Sequence, residues 1–132
     1  MPAITITAAN VRPLNKRARP VAYTASAAIT AGQPVHFDTT TQKVQAGDNA
    51  DYTNIVGIAM TNAAADGDLI YVQDTESYEV GGTVVEGQTY YLLQSGGIGL
   101  YSDIGSDSVI RLFYATTTST AVLDIKDYNV AL

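Results

Sequence analysis

Few side chains in this sequence could carry out catalysis. His36 is the only histidine and there is no cysteine, so a catalytic triad would depend on one residue and a thiolate nucleophile is excluded. His36 stands beside Phe37 in a predicted strand, which favours a structural role. Glu76 and Glu79 are candidates for an acid–base pair, but glycoside hydrolysis needs two carboxylates roughly 5–9 Å apart, and sequence spacing does not establish that separation.

Two acidic loops match metal-binding patterns only in part. Asp48, Asn49 and Asp51 resemble the start of a calcium loop, but the glycine and the closing glutamate of an EF-hand are missing. Asp66-Gly67-Asp68 is typical of a turn. With a single histidine, any other metal site would rest on carboxylates alone. We therefore predict a protein that is not an enzyme, with no metal and no cofactor.

The charged residues are unevenly distributed along the chain. The formal net charge is −6, and all 13 acidic residues lie from Asp38 onward. Four of the 7 basic residues lie in the first 20 positions, so that this segment carries +4 and the remainder carries −10. An acidic body repels nucleic acid, whose binding depends on neutralising phosphates, so we expect no nucleic-acid partner. We also expect no membrane partner, because no apolar run reaches about 18 residues.

The pattern of the body predicts an all-β domain. Short runs of β-branched, aromatic and aliphatic residues recur between turn clusters, and no segment has the periodicity of an amphipathic helix. This spacing is typical of a small β-barrel or β-sandwich. Pro34 is expected on an edge strand or at the first residue of a strand, and Gly57 at a close backbone approach within a buried strand. At 132 residues the chain is expected to form one domain with its own core.

The body contains a repeated phrase. Gly32-Gln33 and Gly87-Gln88 lie 55 residues apart, and each is followed by a strand, a short second strand, an acidic turn and two more strands. The pattern indicates two related β units, although chance recurrence of turn residues in an all-β protein remains an alternative.

The first 20 residues are expected to form an extended N-terminal arm, and residues 21–132 the β-rich domain. Ile4 to Thr7 alternates apolar and polar residues, as in a strand with one buried face. Pro13 and Pro20 disfavour a helix in the segment that holds the basic cluster. A frayed terminus is the simpler interpretation, and an arm that becomes ordered on a partner is the one that we favour.

Nine tyrosines and no tryptophan also need an interpretation. Tyrosine is large, stiff and amphipathic, which suits protein interfaces, but it is also common in strands. We select Tyr90, Tyr91 and Tyr114 as a candidate oligomer interface.

Several turn-and-strand phrases resemble the small capsid decoration (cement) proteins of tailed bacteriophages. The resemblance runs from about Val11 to Ile125 and includes no catalytic residue. The phrases that carry it are Arg12-Pro13-Leu14, Ala31-Gly32-Gln33-Pro34-Val35, Ile55-Val56-Gly57-Ile58-Ala59, Gly67-Asp68, Gly87-Gln88-Thr89-Tyr90-Tyr91-Leu92 and Gly96-Gly97-Ile98.

This resemblance implies a β-rich structural virion protein that is made in the bacterial host cytoplasm and binds the outer face of the phage head as a homotrimer. Its partners would be the major capsid protein and copies of itself. We expect the arm to contact the capsid, with Ile4 to Thr7 adding as a strand to a capsid sheet edge. The expected contact residues are Ile4, Ile6, Arg12, Leu14, Lys16, Arg17 and Arg19. The main alternative is a carbohydrate- or receptor-binding module of a head fibre or tail.

Overall fold

The computed structural model describes residues 3–15, 17 and 19–131, and these residues form mainly β-strands. Two short 3-10 helices, Ala8–Asn10 and Tyr101–Asp103, are the only helical segments in the described residues. The strands are β1 Arg12–Pro13, β2 Val21–Thr24, β3 Pro34–Asp38, β4 Lys43–Ala46, β5 Ile55–Ala59, β6 Leu69–Gln73, β7 Thr75–Glu79, β8 Thr89–Leu92, β9 Ile98–Gly99, β10 Ser108–Ala115 and β11 Thr120–Ala131.

The strands form two antiparallel sheets that are not closed into one barrel, so the prediction of an all-β fold is confirmed in its sandwich form. Residues 21–73, the first unit, form a five-stranded sheet of order β2-β6-β5-β3-β4. Residues 75–131, the second unit, form a sheet of order β7-β11-β10-β8-β9, with β1 added outside β7. The two units therefore share one strand order, which supports the predicted repeat.

The Gly-Gln phrases make the same contacts in both units. In the first unit the Gly32 N–H donates to the Ala59 carbonyl at 2.8 Å, and the Ala59 N–H donates to the Gln33 carbonyl at 2.9 Å. The second unit repeats these bonds at Gly87, Gln88 and Ala115, both at 2.9 Å. The glycines have φ values of +97° and +86°. A residue with a Cβ rarely adopts such angles, which explains why glycine occupies both turns.

The buried residues lie between and within the sheets. The larger core cluster combines Tyr78, Phe113 and Leu112 of the second unit with Ile58 and Met60 of the first. A second cluster lies within the first unit and consists of Ala25, Ile29, Val35, Val44, Ala59, Ala63, Ile70 and Val72. The larger cluster therefore joins the two units.

Two local expectations of the sequence agree with the structure. Pro34 is the first residue of β3, an internal strand, where its missing N–H is tolerated. Gly57 lies in β5 against β6, and a Cβ at this position would approach the Gln73 carbonyl oxygen to 2.4 Å. The close backbone approach expected at Gly57 is therefore present.

Candidate functional site: the N-terminal strap and the tyrosine face

Residues 3–15, which we call the strap, lie against the body of the second unit. The Ile4 N–H donates to the Ile98 carbonyl at 2.9 Å, and the Thr7 N–H donates to the Gly81 carbonyl at 2.7 Å. Ile4 and Ile6 are half-buried against the larger core, while Thr5 and Thr7 are exposed. The alternation in this segment therefore gives one buried face, and its partner is the chain itself.

Four glycines of the body make room for the strap. A Cβ on any of them would come within 2.7 Å of a strap atom, and at Gly82 the distance to the Thr5 carbonyl oxygen would be only 2.2 Å. The nearest strap residue is Ile6 for Gly32, Val11 for Gly81, Thr5 for Gly82 and Ala3 for Gly97. Since these glycines come from both units, the strap contacts both halves of the molecule.

The strap also compensates for a difference between the two units. In the first unit the Ser26 N–H donates to the Val44 carbonyl at 2.8 Å, which joins the outer strands β2 and β4 directly. The residue 55 positions after Ser26 is Gly81, whose carbonyl is bonded by the strap. The strap thus fills the opening that the first unit closes by direct contact.

The C-terminal part of the strap binds the outer edge of β7. Arg12 and Pro13 pair with Glu79 and Tyr78, and Arg12 Nη2 lies 3.1 Å from Glu79 Oε1. Asn15 Nδ2 donates to Glu76 Oε1 at 2.7 Å. The two glutamates considered for acid–base chemistry therefore bind the strap.

The structure spreads the predicted capsid-binding residues over buried and exposed positions. Leu14 is 44% exposed, and Arg12, Arg17 and Arg19 are exposed. Lys16 lies outside the described residues. Ile4 and Ile6 differ from this group because they contact the core. The basic side chains and Leu14 are therefore the members that a partner can reach without moving the strap.

The three selected tyrosines do not share one environment. Tyr90 is 2% exposed, its ring is stacked on Phe113 at 5.2 Å, and its hydroxyl accepts the Val85 N–H at 2.9 Å. In this fold Tyr90 is a core residue and is not accessible to another subunit. Tyr91 and Tyr114 lie on the opposite, outward side of the second sheet.

Sequence analysis did not select several other residues on the same outer surface. We call this surface the tyrosine face, and it includes a shallow groove lined by Tyr91, Tyr101, Val109, Tyr128 and Val130. Arg111 Nη1 donates to the Tyr128 hydroxyl at 2.9 Å, and Lys126 Nζ lies 5.0 Å from the centre of that ring. The alternation of Lys126, Tyr128 and Val130 along the last strand is the sequence signal that could have identified them.

His36 has a structural environment in the first unit. Its Nδ1 accepts the Asn54 N–H at 3.1 Å at the point where the pairing of β3 and β5 shifts register, and its ring lies 5.4 Å from that of Tyr52. Burial lowers the pKa of His36, while Asp38 and Asp48 act in the opposite direction. An Nδ1 that accepts a backbone N–H is in use as an acceptor and is unavailable as a general base.

The acidic loop at Asp48 is satisfied by its own backbone. Burial opposes ionisation of Asp48, but the N–H groups of residues 50, 51 and 52 bond its carboxylate and lower its pKa below the usual value. Among the described residues no group of three or more His, Cys, Asp or Glu side chains could hold a metal ion. In the described part of the chain, no helix has the length and apolar character needed to cross a membrane.

The fold and these surfaces define a β-sandwich whose exposed features suit protein contacts. A family model for phage cement proteins matches residues 5–73, just over half of the chain, and the chain belongs to this family. The match begins in the strap and ends at the last residue of β6, so it covers the strap and the whole first unit. No curated protein matches the chain.

Membership of this family gives the protein a structural role in a phage capsid. It is a decoration component that binds the capsid and lies on the outside of the virion. A structural family fits the expectation that the protein is not an enzyme.

Proposed function

We propose that the protein is made in the host cytoplasm, binds the outer surface of a tailed-phage head as a homotrimer, and stabilises the shell. The family match is the observation that carries this proposal. The charge distribution supports it, since a segment of charge +4 precedes a body of charge −10 and can face acidic patches on the major capsid protein.

Within the strap we assign different roles to the predicted contact residues. Arg12, Leu14, Lys16, Arg17 and Arg19 contact the capsid protein, and Ile4 and Ile6 hold the strap on the body. Addition of residues 4–7 to a capsid sheet would require the bonds to Ile98 and Gly81 to break. The exposed basic part needs no such rearrangement, and we therefore place the contact there.

A single charge reversal tests the basic contact. We expect Arg19→Glu to weaken binding to shells prepared without the protein by about tenfold, which corresponds to about 1.4 kcal/mol. The difference should shrink at high salt, because exposed charges are screened. Lys43→Glu is the matched control, since Lys43 is the exposed basic residue of β4 and pairs with Asp66 at 2.8 Å. Equal losses in both variants, measured by co-sedimentation with shells, would count against a specific contact.

The tyrosine face is the proposed contact between subunits of the trimer. Interfaces are enriched in tyrosine and arginine, and this face presents Tyr91, Tyr101, Tyr114 and Tyr128 around Arg111. One subunit offers little area, and a specific contact usually buries about 1,200–2,000 Å² in total. Three linked subunits therefore bind the shell more strongly than one can.

Two tyrosines with similar exposure allow a controlled test of this contact. Tyr114 on the second sheet is 48% exposed, and Tyr71 on the first sheet is 46% exposed. We expect Tyr114→Ala to shift the protein from trimer towards monomer in analytical ultracentrifugation, in solution or after release from shells, and Tyr71→Ala to leave the trimer intact. A trimer that is unaffected by Tyr114→Ala would place the contact elsewhere.

The groove of the tyrosine face also supports a second candidate function, carbohydrate or receptor binding on a head fibre or tail. Aromatic rings can stack on sugars, and three tyrosines line this groove. Its volume of about 270 Å³ is below the roughly 300–1,000 Å³ of typical ligand pockets, so it suits a shallow surface contact. Reproducible micromolar binding on a glycan array that is lost in Tyr128→Ala would favour this candidate.

A further inference from the structure

The second unit shows how an extended segment binds an edge strand of this fold. β1 pairs with the outer edge of β7, and the next residue, Leu14, donates its N–H to the Ser77 carbonyl at 3.1 Å. The Ser77 backbone therefore faces away from β11 and towards the strap. Pairing of this kind supplies main-chain hydrogen bonds without requiring a particular side chain.

The first unit contains the equivalent edge without a described partner. An offset of 55 residues relates Ala22 and Tyr23 to Ser77 and Tyr78, and β2 is the outer strand of its sheet, as β7 is before β1 is added. The Ala25 N–H bonds the Asp68 carbonyl at 2.8 Å, on the side of β6. Because strand residues alternate, Tyr23 and Val21 also face β6, and the backbone of Ala22 faces outward.

The open part of this edge runs from Val21 to Tyr23. Beyond it, the isolated bridge between Ala25 and Val44 brings β4 against β2. Val21 is 50% exposed and Ala22 is exposed. An exposed strand edge of this kind is a template for pairing with another chain.

The side chains around the edge define the chemistry of its occupant. On β7 the strap is matched by Glu76 and Glu79, which bond Asn15 and Arg12. The equivalent positions on β2 are Val21 and Thr24, so residues 12–15 of a second copy would not find acidic partners there. Arg17 and Arg19 lie just before this edge, are exposed, and form no ion pair within the described residues. This charge distribution favours an acidic occupant.

We propose that the outer edge of β2 binds an extended segment of the capsid protein, which adds as a strand beside Val21 to Tyr23. The segment places an apolar side chain next to Val21 and an acidic side chain within reach of Arg19. This inference rests on the proposed function and specifies the partner segment that the basic contact recognises.

Hydrogen exchange and one proline substitution test this inference. In the free protein the Ala22 amide exchanges rapidly, and we expect it to become protected when the wild-type protein binds shells prepared without it. Ala22→Pro removes only an outward N–H and is tolerated on an edge strand, and we expect it to weaken shell binding at least tenfold. Ala22→Thr retains the N–H and should bind like the wild type. Thermal unfolding of both variants reports whether the fold is kept.

The outcomes separate this inference from the proposed function. Protection of Ala22 with selective loss in Ala22→Pro supports strand addition. Wild-type binding without protection of Ala22, or equal binding by the proline and threonine variants, overturns strand addition and leaves the capsid role intact. Failure of the wild type to bind shells overturns both. If Ala22→Pro does not fold, the exchange measurement on the wild type decides.

Discussion

His36 illustrates how a single residue that suggests chemistry can have a structural use. Its Nδ1 accepts the Asn54 N–H where β3 and β5 change register, so the ring completes the hydrogen bonding of an irregular part of the sheet. Protonation would turn this acceptor into a donor and break the bond. Burial acts in the same direction, since it disfavours the charged form and lowers the pKa of His36.

We therefore predict a pH effect on stability that is specific to His36. A pKa below 6.5 in the folded state means that the unfolded chain binds more protons as the pH falls through this range. The free energy of unfolding should be independent of this group above pH 6.5 and should decrease as the pH falls from 6.5 towards the folded pKa. The measurements are NMR titration of the ring and urea unfolding at pH 7.5 and 5.5.

His36→Gln is the control for this prediction, because the protein contains no other histidine. The variant should lose most of the difference between the two pH values. A titration midpoint at or above 6.5 in the wild type would contradict the proposed environment of the ring.

The neighbouring tyrosines show where sequence reasoning ends at this scale. Tyr90, Tyr91, Leu92 and Leu93 form an unbroken apolar run, so no alternation indicates which ring faces the core. The structure directs Tyr90 inward and Tyr91 outward. The exposed position of Tyr114 could likewise not be predicted, because a shift in strand pairing between Arg111 and Phe113 changes the alternation along β10.

At the scale of structural elements, the Gly-Gln turns were predictable and the position of the strap was not. The turns use local chemistry, and glycine at a positive φ produces the same bonds in both units. The buried face of residues 4–7 also followed from local alternation. Its partners, Gly81 and Ile98, lie far along the chain, and no local pattern connects them to the strap.

The two turn glycines provide a matched test of the strap. Gly32→Ala and Gly87→Ala both introduce a side chain at a positive φ, at a cost of about 1–2 kcal/mol. At Gly32 the new Cβ would also lie 2.6 Å from Ile6 Cγ2, whereas at Gly87 the nearest atom is 3.9 Å away. We expect urea unfolding to show a loss at Gly32 that exceeds the loss at Gly87 by about 1–3 kcal/mol. Equal losses would mean that Ile6 does not pack on the first unit.

This arrangement also changes what the N-terminal segment contributes to the molecule. Residues 3–15 pack on both units and bind the β7 edge, so they contribute to folding as well as to any capsid contact. Whether residues 1–20 act as a separate functional arm stays a prediction. Single substitutions at exposed positions such as Arg19 test it better than truncation, because truncation would also uncover Val11, which is 6% exposed.

At the scale of the whole molecule, two related units and a strap create three different surfaces. The basic segment faces a capsid partner, the β2 edge binds an extended segment, and the tyrosine face joins subunits. A protein of 132 residues can clamp a shell only if such contacts act together, since linked weak contacts produce avid binding. Structural stabilisation of a shell by added surface area is consistent with this arrangement and requires no catalytic site.

Cryo-electron microscopy of particles purified with and without the protein tests the central claim most directly. We predict three copies grouped on the outer face of the head, with the tyrosine faces towards one another and Arg17, Arg19 and the β2 edge against the capsid protein. The density should disappear from particles that lack the protein. Density away from the outer surface of the shell, or copies that contact the capsid only through other faces, would contradict this account.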